Sequence, residues 1–520
     1  MEPGLAAAAY AAESTVEGAV AAGLVISRAT APLNARCQRI PSPSSLLKRS
    51  SHTLNVIRGR AYIFGGEGEG AQAGAGEADN AMHVVTLPTD LDLMDTDYQK
   101  IPARMSEQQP ALDPNSSMAT RPSGDVPSAR AGHCATVIGE RIYICGGRPP
   151  ANQPSLSQTM LSSPLDEGGK VYVFDTATRT WMVLEANREG STQGLPHPRT
   201  FASSTSIINP LPLKNISSGS RKQNSSMMTD EARIEALAQQ EGETLMATDE
   251  QDLQAYGTII MHGGYDGDGN LLRDLWAFDV ASRVWARLPD LPETDVAAGE
   301  GQICCTQNRI WRCGDDHGQV SHIDVEVDRF DDMSGKGELG ISPKADGWQV
   351  HPAAVKPNSE AGEAVSTPPQ AEEKPSDNSQ QNKSLSISSP PYPPLRRRAN
   401  LVRTTTGQGR DFLILVMGED PSSGAPLDDV WSFQIRSEEL SAAALKDSVR
   451  SMVGKSTGVE RWAKVNIPEA TKDHGVLDLP RGLTRFGSSA GADSNFSIVI
   501  WGGLQADGQL NGDGWILTLE

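Results

Sequence analysis

The chain has 520 residues, a formal net charge of −20, 38% hydrophobic and 5% aromatic residues, Gly 50 and Pro 34. That length exceeds one ordinary domain and admits two or three domains or one large repeat body. The acidity argues against a general nucleic-acid or anionic-membrane binder, because phosphate attraction needs a basic surface.

The low apolar content points to a packed core diluted by polar insertions. Six cysteines are too few for a disulfide scaffold of this size, and none has C-x-x-C spacing. They read as reduced, small apolar residues. No apolar run reaches the ~18 residues of a membrane span, and residues 1–10 lack the basic start of a signal peptide. The expectation is a cytoplasmic protein with no membrane partner.

Residues 1–31 are Ala-rich, a helix or a loose tail. Residues 33–40 alternate apolar and polar and end in Ile40-Pro41, which predicts a lone strand. The first unit then runs through Ser51–Ile57, Arg60-Ala-Tyr-Ile-Phe-Gly-Gly66, residues 79–87 and 98–101. The second has 131–138, Arg141-Ile-Tyr-Ile-Cys-Gly-Gly147, Lys170–Asp175 and Thr180-Trp-Met-Val-Leu184. The third has 199–208, Thr258-Ile-Ile-Met-His-Gly-Gly264, Asp274-Leu-Trp-Ala-Phe-Asp279 and Val284–Leu288.

The fourth unit keeps 302–305, Arg309–Gly314, Val320–Val325 and Trp348–Val350 but loses one glycine. The fifth has 399–405, 411–418, 428–433 and 461–465. The sixth has Arg485-Phe-Gly-Ser-Ser, then Ser497-Ile-Val-Ile-Trp-Gly-Gly503 and 512–519, and lacks an outer strand. Polar or low-complexity insertions are predicted at about 104–128, 210–254, 353–395 and 436–458, the second and fourth with some helical periodicity.

Four short strands cannot bury both faces of a sheet. Stacking such sheets radially buries each against its neighbour. Diglycines followed by a third strand and a Trp strand, as in Gly146-Gly147 with Tyr172, Asp175 and Trp181, or Gly263-Gly264 with Asp279 and Trp285, resemble the kelch repeat. Gly502-Gly503 with Trp515 repeats the pattern. The resemblance covers roughly residue 33 onward and implies an all-β, six-bladed kelch propeller of the galactose oxidase/kelch-like kind. Kelch rings close when one terminus completes the other's blade, so 33–40 is expected to pair beside 512–519.

The histidines are scattered, without the copper ligand set that galactose-oxidase-like enzymes need. His52 and His133 hold equivalent places in two units and read as structural. The chain is also similar in character to fungal kelch proteins related to plant nitrile-specifier and thiocyanate-forming proteins. Those relatives hold Fe²⁺ through Glu-x-x-x-Asp-x-x-x-His. The nearest match here is Asp79 and His83, with Ala at position 75. No G-x-S-x-G motif is present, and the acid pairs Asp315/Asp316 and Asp428/Asp429 read as turn formers.

Arginine recurs at the start of units, as Arg49, Arg130, Arg199, Arg398 and Arg481, with Arg403 and Arg485 competing for the last two positions. Such arginines either ring one mouth of the channel and grip an anion or pair with acids of neighbouring blades. The favoured function is a non-catalytic scaffold that binds a protein or peptide through this face, an acidic one if the arginines do the gripping. The alternative is an Fe²⁺-dependent, nitrile-specifier-like lyase acting on an anionic sulfur compound, with Arg49 and Arg130 holding the anion.

Overall fold

In the computed structural model, the described residues are 32–68, 80–88, 96–106, 126–150, 163–208, 257–291, 300–306, 308–314, 318–327, 341–351, 392–405, 410–425, 427–436, 447, 457–467, 491–494, 497–503 and 509–519. The Ala-rich N-terminal segment and the four expected insertions fall wholly or largely outside these ranges.

Six four-stranded antiparallel sheets form six blades. Blade 1 is Thr53–Ile57, Arg60–Phe64, Met82–Thr86 and Tyr98–Ile101; blade 2 is Cys134–Ile138, Arg141–Cys145, Val171–Asp175 and Thr180–Leu184. Blade 3 is Ser203–Ile207, Thr258–His262, Leu275–Asp279 and Trp285–Leu288. Blade 4 is Gln302–Thr306, Arg309–Cys313, Val320–Val327 and Ile341–His351. Blade 5 is Asn400–Thr405, Asp411–Val416, Val430–Gln434 and Trp462–Lys464.

Blade 6 takes Gly491–Ser494, Ser497–Trp501 and Gly514–Leu519 from the end of the chain. Its outer strand is Ala35–Ile40, antiparallel to the last strand from Ala35↔Leu519 to Ile40↔Gly514. The expected closure is therefore present. Asn466 adds a clasp from blade 5, through Ala35 N–H to Asn466 O and Asn466 N–H to Leu33 O.

Two strands differ from expectation. The first strand of blade 6 lies at Gly491–Ser494 rather than 485–489, against a partner that begins at Ser497. The outer strand of blade 4 begins at Ile341, because Val320–Val327 runs on past an irregularity between Ile323 and Val325 and needs a longer partner.

The core is divided among the blade interfaces. Six apolar clusters each draw on two adjacent blades, for example Phe64 and Met82 of blade 1 with Ile142, Phe174 and Trp181 of blade 2. Middle strands such as Thr258–His262 and Leu275–Asp279 are buried along their whole length because each sheet is covered on both sides. Trp181 packs 5.0 Å from Phe64 and 5.1 Å from Phe174, and Trp285 lies 4.9 Å from Phe278 (ring centroids). The closing strand obeys the same alternation. Ala35 and Cys37 join the cluster shared with blade 5, and Ile40 joins the one shared with blade 1.

The diglycines sit where blades touch. Gly65 and Gly264 have φ of +66° and +87°, the left-handed region that favours glycine. A Cβ on Gly65 would lie 2.7 Å from His133 Cε1 of blade 2, and one on Gly264 would lie 2.5 Å from Thr200 O.

Candidate functional site

The arginines two residues ahead of the channel mouth repeat one arrangement. Arg130 donates to Gly146 O at 3.0 Å and forks onto both oxygens of Glu167 at 2.8 Å. Arg199 donates to Gly263 O at 3.0 Å and forks onto Asp274 at 2.5 and 2.8 Å. In blade 5 the equivalent residue is Arg396, which donates to Met417 O at 2.8 Å and forks onto Asp429 at 2.8 and 3.3 Å. Arg49 donates to Gly65 O at 2.7 Å, but its other end meets His83 Nε2 at 3.0 Å.

Each of these four side chains is buried and held by the end of its own blade's second strand. For Arg130, Arg199 and Arg396 the partner is an acid ahead of that blade's third strand. The backbone does a second job. Arg130 O accepts from Gly66 N–H, Arg199 O from Gly147 N–H and Arg49 O from Gly503 N–H. Arg49, Arg130 and Arg199 thus each rivet the preceding blade to their own.

Asp429, read from sequence as a turn former, is an ion partner of Arg396 and accepts from Trp431 Nε1 at 2.7 Å. Asp274 does the same with Arg199 and Trp276. Burial raises the Asp274 carboxyl, but the hydrogen bonds and charge of Arg199 outweigh it and hold it below the usual carboxylate range. Arg481, Asp79, Asp315 and Asp316 lie outside the described residues.

The residues that face the channel come two positions later. They are Ser51, Gly132, Phe201, Glu300 and Arg398, each two residues before the first strand of its blade. Ser51, Gly132, Phe201 and Arg398 share φ between +54° and +63°. They are stitched together: Gly132 N–H donates to Ser51 O at 2.8 Å and Phe201 N–H to Gly132 O at 2.6 Å. Arg398 N–H donates to Glu300 Oε2 at 2.7 Å.

Behind this mouth lies a cavity of about 480 Å³. Its wall is the first strands of blades 1 to 5, at 53–56, 134–137, 203–205, 302–305 and 400–403.

Charges alternate around the mouth. Glu67 of blade 1 pairs with Arg148 of blade 2 at 2.5 Å. The guanidinium carbons of Arg148 and Arg398 lie 5.9 and 5.7 Å from the centre of the Phe201 ring, within reach of cation–π attraction. Tyr265 Oη donates to Glu300 at 2.7 Å. Arg398 and Arg397 both pair with Glu419. Burial lowers the Arg398 pKa, opposed by the charges of Glu300 and Glu419.

His52 and His133 line the same end of the channel. Burial, with Arg49 nearby, pushes His52 down to about 3. Burial and Arg130 push His133 well below its ordinary value. His133 Nε2 lies 2.8 Å from Thr53 Oγ1 of blade 1.

His83 does not fit an iron ligand. Its Nε2 accepts from Arg49, so its proton lies on Nδ1, 2.8 Å from Tyr98 Oη. A metal cation on Nε2 would displace a guanidinium. Among the described residues, no three His, Cys, Asp or Glu side chains form a cluster suited to a metal. No helix among the described residues is long and apolar enough to cross a membrane.

Comparison with known proteins agrees with this architecture. Residues 110–314 match the family described as KLHDC2/KLHL20/DRC7 Kelch-repeats domain. The chain is a kelch-repeat β-propeller.

This kelch propeller is 25% identical over 201 residues to "N-(sulfonatooxy)prop-2-enimidothioate sulfolyase" of Thlaspi arvense. That match covers 36% of this chain and 52% of the relative. It is 28% identical over 152 residues to "Rho GTPase-activating protein gacHH" of Dictyostelium discoideum, covering 29% of this chain and 7% of the relative. The matches thus span about half of the first relative and a small part of the second. Among solved structures, one named "Structure of YjhT" is similar over 92% of this chain and 99% of that one, with a TM-score of 0.42 and 11% identity.

The sequence points to Arg49, Arg130, Arg199 and Arg398, but not to Arg396 or to the mouth residues Ser51, Gly132, Phe201 and Glu300. The missed signal was the contrast between the two positions. Arginine recurs at 49, 130, 199 and 396, whereas the residue two places on is Ser, Gly, Phe and Arg in turn.

Proposed function

We propose that this propeller is a non-catalytic recognition module that binds an acidic segment of a protein or peptide at the diglycine end of its channel. One observation carries the reading: the position that rivets blades repeats, and the position that faces the channel varies. A repeat protein places its binding surface on one face of its repeats, and variation there is what recognition of an irregular partner requires.

Backbone strain supports the same site. Phe201 and Arg398 adopt a left-handed conformation that costs non-glycine residues about 1–3 kcal/mol, and Gly132 meets the same backbone demand without a side chain. On the donor side, Arg397 is 30% exposed and shares Glu419 with the more deeply buried Arg398. An acidic segment meets that donor first and competes with Glu419 for Arg397 and Arg398.

Fluorescence anisotropy against acidic, neutral and basic peptide panels tests this. Acidic peptides should bind, and Phe201→Ala and Arg398→Ala should each weaken binding about tenfold, or ~1.4 kcal/mol. Affinity untouched by both substitutions, with folding intact by circular dichroism, refutes the reading.

The match to the Thlaspi arvense protein favours a second reading, a lyase that releases sulfate from a sulfonatooxy thioimidate. On that reading the anion enters the mouth toward Arg398, since Arg49 and Arg130 already hold backbone carbonyls and His83 or Glu167. Sulfate release measured with purified protein separates the two: turnover supports the lyase, and its absence leaves the binding module.

A further inference from the structure

Blade 2 sets two thiols face to face where it packs against blade 3. Cys134 opens its first strand, Cys145 closes its second, and they are direct cross-strand partners. Opposed residues of an antiparallel pair have Cα atoms about 4.5–5.5 Å apart, inside the span of a disulfide. Their sulfur atoms lie 3.2 Å apart, and all six cysteines are free.

No other cysteines share this geometry. Cys304 and Cys305 are sequence neighbours on one strand, so their side chains point to opposite faces. Cys37 opposes Leu517, and Cys313 opposes Gln302 and Val320. Access is also specific. Cys134 borders the channel cavity although it is only 4% exposed, so the channel is the short route to it, whereas Cys145 does not border that cavity. Cys304 and Cys305 line the same cavity and serve as controls that lack a partner thiol.

We propose that Cys134 and Cys145 form a redox-active dithiol, oxidised to an intrachain disulfide by a small hydroperoxide admitted through the channel. Cys134 reacts first as the thiolate. Its sulfur attacks the terminal oxygen of the peroxide, the O–O bond breaks, and the leaving oxygen takes a proton as water or alcohol. Cys134 becomes a sulfenic acid. The Cys145 sulfur then attacks the Cys134 sulfur, the S–S bond forms, the S–O bond breaks, and water leaves. Two thiols lose two electrons and two protons, and the peroxide is reduced.

The electrostatics agree with that order. The hydrogen bond from Cys145 outweighs burial and lowers the Cys134 thiol. Cys145 is held well above the ordinary thiol range by the same pairing and by burial. Burial alone pushes Cys305 up to about 12, where it is inert.

The test uses the full chain. It is exposed to near-stoichiometric hydrogen peroxide, denatured, alkylated and analysed by tandem mass spectrometry. The expected product is a Cys134–Cys145 linkage, two hydrogens lighter and reversed by dithiothreitol, formed at least tenfold faster than any oxidation of Cys304 or Cys305. In Cys145→Ser, dimedone should trap a sulfenic acid at Cys134. The wild-type measurement needs no variant to fold. Cys134 and Cys145 both remaining open to alkylation, or Cys304 or Cys305 oxidising first, overturns the proposal.

Discussion

Replacing Arg199 with methionine removes the guanidinium that ties the entry of blade 3 to that blade's second and third strands while keeping an apolar stem. Three partners lose their donor at once: the Asp274 carboxylate, Gly263 O and His197 O. Arg199 is 2% exposed, so water does not replace it freely. Breaking one side of a buried ion pair costs about 3–5 kcal/mol, a large part of the ~5–15 kcal/mol that holds a folded domain together. The urea midpoint should fall by about 1 M or more with an unchanged slope.

Asp274 keeps its bond from Trp276 Nε1, so a second change, Asp274→Asn, removes the stranded charge. The double variant should then be less destabilised than the sum of the two single changes, with a coupling of about 1–3 kcal/mol. A midpoint within the ~0.5 kcal/mol expected of a surface substitution would show that Arg199 is not a structural tie. So would strictly additive effects.

Three further outcomes follow from the same geometry. Deleting residues 1–41 removes the outer strand of blade 6 and uncovers the edge of Gly514–Leu519; the melting temperature should drop and light scattering should rise on heating. Gly264→Ala puts a methyl 2.5 Å from Thr200 O at a φ of +87° and should destabilise by about 1–3 kcal/mol, whereas the same change at an ordinary helix or strand glycine stabilises by ~1 kcal/mol; chemical denaturation reads the difference.

Acid should weaken the fold from about pH 6.5 downward. His262 Nε2 accepts from Arg312 Nε at 2.9 Å and its Nδ1 faces Asp274 O at 3.0 Å, which fixes the neutral ring. Burial, then Arg312, pushes it down to about 3. The unfolded chain takes up that proton near pH 6.5 and the folded one does not, so stability is present above 6.5 and lost as pH falls toward 3. His262→Asn should reduce the slope of that part of a stability–pH profile by one proton's share, since His52 and His133 act in the same window, and an unchanged slope would refute the assignment.

The six blades and the closing strand were legible because their signals are local. Apolar runs such as Thr258–His262 and the diglycines after them recur in one order, and alternation in residues 33–40 marks a half-covered strand. The site was harder to read for a directional reason. Sequence spacing places Arg130 and Arg199 beside the channel, but it does not say that their guanidinium groups turn back onto Gly146 O and Gly263 O. The acids that hold them, Glu167 and Asp274, stand four residues and one residue before their third strands, so no fixed interval announces the pairing. Arg398 was picked from its place near a unit start, and its role at the mouth emerged only when Arg396 proved to be the counterpart of Arg199. Asp274-Leu-Trp276 and Asp429-Val-Trp431 share a pattern that links acid, tryptophan and arginine, visible once the geometry is known.

The closing strand also sets a timetable. Arg39 and Asp513, paired across it, stand 474 residues apart in the chain. At about 5–20 residues per second of synthesis, the first partner waits roughly 25–95 s for the second. Through that interval Ala35, Cys37 and Ile40 have no sheet to join, and five blades stand as an open arc with apolar faces at both ends. Ring closure is therefore a late event in the life of each molecule, and conditions that slow translation lengthen the time in which one nascent arc can meet another.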